Sequence, residues 1–522
     1  MQSHVVEHWT ISKPTVKGNG GMVASQHHLA SEAGAKILRE GGNAIDAAIA
    51  TGLALGAVEP WMSGIGGGGY MTIYRSREDT VKVVEFGMRA PFAANATDFP
   101  LASGGENASD AFNWPRVVDD ANVQGPLSIG VPGYIKGVSL ALSQFGTRSF
   151  QEVIEPACQL AEWGLPNDWF SVQKISHFAR ALSRYEETRK TYLGDGLPPA
   201  IDLEGEIHPI KLGKLGETYR YLQKHGPSAY YAGALAEKIV ADLQSAGSKI
   251  SLQDLAEYEA RVSDPLTINY RNAIVSVAGH LTAGPSLAQA LQILEKKISP
   301  SRRAPGVKAF TAYAESLLET YAYRLAHLGE GPEVPTNTSH LCVADKDGNM
   351  VSLTQTIMSA FGSRIMLPQT GILMNNGMMW FDPRPGGPNS VVGGHHPLSN
   401  MCPVIVRQAD AGMFAAGACG GRKIFPAIFQ LISFLVDYKM TVDEALHSAR
   451  IDNSGTDMIS IMDHMQEDVI AALAEEFPET RLRPNGVSPN HFALPQMIRR
   501  NETGGVEGGC FIPSPHARVI AV

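Results

Sequence analysis

One stretch constrains the fold of this chain more than any other: Thr336-Asn337-Thr338-Ser339-His340-Leu341-Cys342-Val343-Ala344-Asp345-Lys346-Asp347-Gly348-Asn349-Met350-Val351-Ser352-Leu353-Thr354-Gln355-Thr356. Two short β-rich runs flank a polar Asp-Lys-Asp-Gly-Asn turn, which is the pattern of a β-hairpin. With Lys346-Asp347-Gly348 as the loop and Gly348 left-handed, Asp345 faces Asn349. That register puts Thr338 opposite Thr356, with Cβ atoms about 5 Å apart. A bulge would slip the pairing by one residue.

A Thr–Thr pair on a half-buried sheet is ordinary, because threonine is common in strands. The alternative is chemical. Thr338 attacks the carbonyl of Asn337, the chain shifts to an ester, and hydrolysis releases Thr338 as a new N-terminus. Its α-amine then serves as general base for its own hydroxyl. A free α-amine has a reference pKa of about 8, so it is partly neutral at physiological pH.

Further motifs bear on that choice. Asn337-Thr338-Ser339-His340 and Val343-Ala344-Asp345-Lys346-Asp347-Gly348-Asn349 are followed by Phe361-Gly362-Ser363, Gly371-Ile372-Leu373-Met374-Asn375-Asn376 and Pro397-Leu398-Ser399-Asn400-Met401-Cys402-Pro403. In this order, and over nearly the whole chain, they resemble the γ-glutamyltranspeptidase family of N-terminal-nucleophile hydrolases. The resemblance implies an α+β fold, a four-layer αββα sandwich with an added helical region. It implies a precursor that cleaves itself between Asn337 and Thr338. Residues 1–337 and 338–522 then stay together as an αβ heterodimer within one αββα domain. It makes Thr338 the nucleophile, orients its hydroxyl with Thr356, and places the oxyanion hole at Gly420-Gly421, which otherwise reads as a plain glycine entry to a helix. No cofactor is implied.

His340 lies two residues after Thr338, on the same strand face. It mimics a triad base, but the amine makes a second base unnecessary, so a structural role is expected. No G-x-S-x-G elbow and no H-E-x-x-H occurs. Gly64-Ile65-Gly66-Gly67-Gly68-Gly69 formally matches G-x-G-x-x-G. A helix precedes it and the strand-like Tyr70-Met71-Thr72-Ile73-Tyr74 follows, the reverse of a nucleotide site. It is expected to be a tight turn into a central strand.

The net charge of −9 argues against nucleic acid as a partner. Cys158, Cys342, Cys402, Cys419 and Cys510 are odd in number and lack C-x-x-C spacing, which indicates neither a disulfide framework nor a zinc site. Met1 to Glu7 lack a basic start with an apolar run, and no apolar segment reaches about 18 uninterrupted residues, so a cytoplasmic chain without a membrane partner is expected. Helices are expected over 25–40, from an Asn43 cap to about Val58, and over 308–326. A turn-rich run at 329–335 suits an accessible cleavage segment. Strands are expected at 403–407 and 412–416, followed by a helix to about Val436 and a Thr441–Glu444 capping box.

The chain departs from the family where family members bind the glutamyl group. The arginine that holds its α-carboxylate aligns with Gly87. The Asn, Gln and Asp that hold its α-amine align with Met358, Gly377 and Trp380. Of two paired serines Ser399 is kept, and the second is Asn400. An α-ammonium without its acidic partner is costly in a closed pocket. Arg89 lies two residues past the missing arginine and is expected either to clamp a substrate carboxylate or to be a surface residue. The expected substrate is a small-molecule amide of a small acid, as in oxamate amidohydrolase. A genuine γ-glutamyltransferase or glutathione hydrolase, a cephalosporin acylase and a non-processing, ligand-binding relative are the alternatives.

Overall fold

In a computed structural model, residues 11–103, 114–301, 304–328, 338–454, 456–488 and 490–522 are described. Ser339–Ala344 and Met350–Thr356 pair antiparallel, Ser339 opposite Gln355 and Ala344 opposite Met350. One step further along this register Thr338 faces Thr356. Gly348 takes φ 91°, as the three-residue loop demands. The Asp345 carboxylate fixes the turn. It accepts the Asp347 and Asn349 amides at 3.0 and 2.9 Å. It also accepts the Ala44 amide at 2.9 Å, at the start of the Ala44–Val58 helix, where a negative charge complements the helix dipole.

The hairpin lies at the centre of a seven-stranded sheet. Its strands run in the order Arg518–Ala521, Met22–Ser25, Ser339–Ala344, Met350–Thr356, Gly68–Arg75, Thr80–Phe86, Arg261–Ser263. A second seven-stranded sheet has the order Val16–Gly18, Val506–Cys510, Leu494–Arg500, Gly412–Cys419, Val404–Gln408, Ala273–Val277, Leu266–Tyr270. The two pack face to face. Cys342, Ala344 and Met350 point into the inter-sheet core with Ile405, Ala415 and Ile498. Ser352 Oγ donates across it to the Ala416 carbonyl at 2.9 Å. The alternate residues Leu341, Val343, Val351 and Leu353 point outward, into the core shared with the Ala44–Val58 helix. That alanine-rich helix is buried at every position and is capped by an Asn43–Asp46 box. Gly284–Lys297 and Ile424–Val436 cover the second sheet, which completes the αββα layering.

The glycine run does turn the chain into a central strand, Gly68–Arg75. A Cβ at Gly67 would overlap the Thr356 carbonyl, and one at Gly69 the Thr354 carbonyl. Only glycine lets this backbone approach the hairpin so closely. The added helices are Phe150–Trp163, Trp169–Leu182, Glu186–Leu193, Leu215–His225 and Ala234–Ala246. A small three-stranded sheet of Ile451–Asp452, Ile459–Met462 and Thr480–Arg483 was not anticipated from the sequence. All five cysteines are buried free thiols. No helix among the described residues is long and apolar enough to cross a membrane. The expected cleavage run at 329–335, and Asn337, lie outside the described residues, as do the first ten residues on which the cytoplasmic expectation rests.

Candidate active site

Thr338 is buried at the entry to the Ser339–Ala344 strand. Its neighbour Ser339 turns to the helix side, where Ser63 Oγ donates to Ser339 Oγ at 2.9 Å. Gln355 Nε2 donates to Ser63 Oγ and to the Gly52 carbonyl, both at 2.9 Å. Strand alternation then sends the side chains of Thr338 and Thr356 to the opposite face, toward the second sheet. Thr356 Oγ1 accepts the Met358 amide at 2.7 Å, which ties one lone pair of the hydroxyl to the chain just beyond the strand. Met358 takes φ 87°, a strained value for a non-glycine residue, two residues after the candidate catalytic threonine.

His340 is fully buried between the sheets. Its Nδ1 lies 2.9 Å from Thr354 Oγ1 and its Nε2 3.2 Å from Cys342 Sγ. Burial pushes its pKa down to about 3, so the ring is neutral. Both nitrogens are occupied, and the ring packs against Gly417 of the facing strand. This geometry gives His340 a structural position.

Gln26 joins the nucleophile strand to the glycine turn. Its Oε1 accepts the His340 amide at 3.3 Å, and its Nε2 donates to Cys419 Sγ at 2.6 Å. Cys419 ends the Gly412–Cys419 strand. Gly420 and Gly421 follow with φ 137° and 61°, values that favour glycine. They lead through a short 3₁₀ turn, Gly421–Lys423, into the Ile424–Val436 helix. Their amides therefore stand at the entrance of a buried helix. Tyr321 Oη donates to the Arg422 carbonyl at 2.6 Å, which ties the Val307–Leu328 helix to this turn.

Of the candidate substrate positions, Met358 bonds to Thr356 through its amide. Asn376 Oδ1 accepts the Ser359 amide at 2.9 Å, and the Gly377 amide donates to Asn375 Oδ1 at 2.8 Å. Met358 and Trp380 belong to one apolar cluster with Tyr70, Met88, Met379 and Met401. The space beside Gly87 is taken by the Tyr70 hydroxyl, 3.0 Å from where a Cβ would stand. Arg89 is no surface residue: it is 9 % exposed. Its Nη2 donates to the Asp254 carbonyl at 3.0 Å, its Nη1 to the Glu257 carbonyl at 3.4 Å, and its guanidinium stacks on Phe92 at 4.2 Å. Only Nε lacks a partner among the described residues. Ser399 and Asn400 are held by Arg324, which the sequence reading missed. Its Nη2 donates to the Ser399 carbonyl at 3.1 Å and to Asn400 Oδ1 at 3.0 Å. Its place in the long 307–328 helix resembles that of any other polar residue there, so no sequence signal marked it.

The family model "Gamma-glutamyltranspeptidase" matches residues 30–334 and 330–510. This chain belongs to the γ-glutamyltranspeptidase family. Among curated relatives of this family member is the glutathione hydrolase proenzyme of Bacillus subtilis (strain 168), 30% identical over 512 residues, 87% of this chain and 84% of that protein. The acylase ACY 1 proenzyme of Pseudomonas sp. (strain SE83) is 32% identical over 490 residues, 86% of this chain and 85% of that one. The solved cephalosporin acylase from Bacillus halodurans superposes with TM-score 0.85 at 22% identity, covering 100% of this chain and 99% of that one. As a γ-glutamyltranspeptidase-family protein with this sandwich, the chain is an N-terminal-nucleophile enzyme of the amidohydrolase and acyltransferase kind.

Proposed function

We propose that cleavage between Asn337 and Thr338 leaves Thr338 as the N-terminal nucleophile of residues 338–522, paired with residues 1–337, and that the mature enzyme hydrolyses an amide whose acyl group carries no α-ammonium. The reading is carried by one observation: the register that brings Thr338 opposite Thr356, with Gln26 linking that strand to the Gly420–Gly421 turn. The Thr338 hydroxyl oxygen bonds to the amide carbon while its proton passes to the Thr338 α-amine. The Gly420 and Gly421 amides receive the oxyanion. The C–N bond then breaks, the proton goes to the departing nitrogen, and water hydrolyses the threonyl ester to a carboxylic acid.

The acyl group follows from what surrounds Met358 and Trp380. A thioether and an indole cannot neutralise an ammonium at positions where the family has polar side chains. A small carboxylate acyl group such as that of oxamate fits this reading through Arg89 Nε, the guanidinium nitrogen that has no partner among the described residues. The methionine-rich surroundings favour a second, bulkier apolar acyl group of the kind acylases take. The test is a panel of oxamate, γ-glutamyl anilide and acyl β-lactams, scored by ammonia or amine release. Either oxamate or an acyl β-lactam is expected to exceed γ-glutamyl anilide at least about tenfold in kcat/KM. A preference for the γ-glutamyl anilide would contradict the proposal.

A further inference from the structure

We propose that the cavity walled by Glu59, Lys174 and Gly420 receives the amine half of the scissile amide and, where that half is larger than ammonia, selects an amine that carries a carboxylate on an apolar body. This rests on the roles given above to Thr338 and Gly420. The cavity has a volume of about 80 Å³. None of its lining residues belongs to the methionine- and tryptophan-rich cluster at Met358 and Trp380. With the acyl group on that side, the space on the Gly420 side is left for the departing amine. Two further links hold it to the reacting strands. Gln26, in its wall, bonds to both the His340 amide and Cys419. Met62, also in its wall, accepts the amide of Ile357, the residue after Thr356, at 3.2 Å.

The chemistry of the walls identifies the ligand. Trp61, Phe170 and Phe492 supply apolar surface. Glu59 caps the C-terminal end of the Ala44–Val58 helix and is 3 % exposed. Its Oε2 is buried without a hydrogen-bond partner, and among the described residues no cation lies within ion-pair distance of it. A buried polar atom left unpaired calls for a ligand group to pair it. Burial pushes the Glu59 carboxyl up to about 8, with Lys174 pulling it down and Asp168 pushing it further up. Near neutral pH it therefore keeps its proton and offers an O–H donor. The Lys174 ammonium, 4.7 Å from the Phe170 ring centroid, is the second donor. The other titratable groups facing Glu59 are Cys419, whose thiol burial pushes up to about 12, and Lys423 at the glycine turn. An O–H and an ammonium suit a carboxylate and reject an ammonium.

The test uses the purified, full-length protein and two amines, 4-aminobenzoate and aniline, with binding measured by calorimetry from pH 6.5 to 9. At pH 7, 4-aminobenzoate is expected to bind at least about tenfold more tightly than aniline. The gap should narrow as the pH rises through the Glu59 ionisation, because the ionised carboxylate repels the ligand. Glu59→Gln should keep the preference and make it independent of pH. Lys174→Met should reduce it. Equal affinities of the wild type for the two amines, or a pH-dependent gap that survives in Glu59→Gln, would overturn the inference. Equilibrium binding does not require turnover. Failure of the Thr338 assignment would therefore show as binding without hydrolysis, and failure of this inference as hydrolysis without the preference.

Discussion

At the residue scale the account turns on hydroxyls, not on the histidine beside them. Thr338→Ala removes the nucleophile and is expected to abolish both processing and turnover. Thr356→Val keeps the shape but loses the oxygen that accepts the Met358 amide. Its kcat is expected to fall by about 10²-fold or more, as when an orienting group is removed, measured on protein shown by gel to be processed. His340 behaves differently. Its folded pKa is depressed to about 3, below the 6.5 of an unfolded histidine, so the unfolded chain binds the extra proton between those values. Its contribution to stability is present above pH 6.5 and is lost as pH falls through that window. Its imidazole resonances are expected not to titrate in the folded protein between pH 5 and 8 when followed by NMR. A titration midpoint near 6.5 would contradict the buried, neutral placement.

At the element scale, close backbone approach holds the site together. A Cβ at Gly417 would overlap the His340 ring, which Thr354 and Cys342 hold in place. Gly417→Ala is expected to lower stability by roughly 1–3 kcal/mol, read as a lower denaturant midpoint. Much of this architecture was legible in the chain. The hairpin register followed from one polar turn and a left-handed glycine, because strand pairing has a fixed two-residue period. Asn43 and Thr441 announced their helices, since a side chain that satisfies free amides is a local signal. Contacts between distant segments left no such mark. Gln26, Arg324 and Tyr321 meet the site only after the sheets stack. Arg89, a substrate clamp or a surface residue by its sequence, is buried, with Nη2 and Nη1 on the Asp254 and Glu257 carbonyls and Nε left without a partner among the described residues. Its partners come from a helix some 165 residues downstream, which sequence spacing does not reveal.

At the scale of the whole molecule, two stacked sheets bring together strands from both ends of the chain. Met22–Ser25 pairs with Ser339–Ala344 on one side and Arg518–Ala521 on the other. The proposed fragments 1–337 and 338–522 are therefore interleaved within each sheet. They are expected to co-elute in gel filtration after cleavage and to separate only in denaturant, because parting them would expose strand edges and both cores. The most direct test of the central claim is intact mass and N-terminal sequencing of the purified protein beside its Thr338→Ala variant. The account predicts two fragments in the wild type, the smaller beginning Thr-Ser-His-Leu, and a single 56.0 kDa chain in the variant. A fully active wild type that retains the intact 56.0 kDa chain would contradict it.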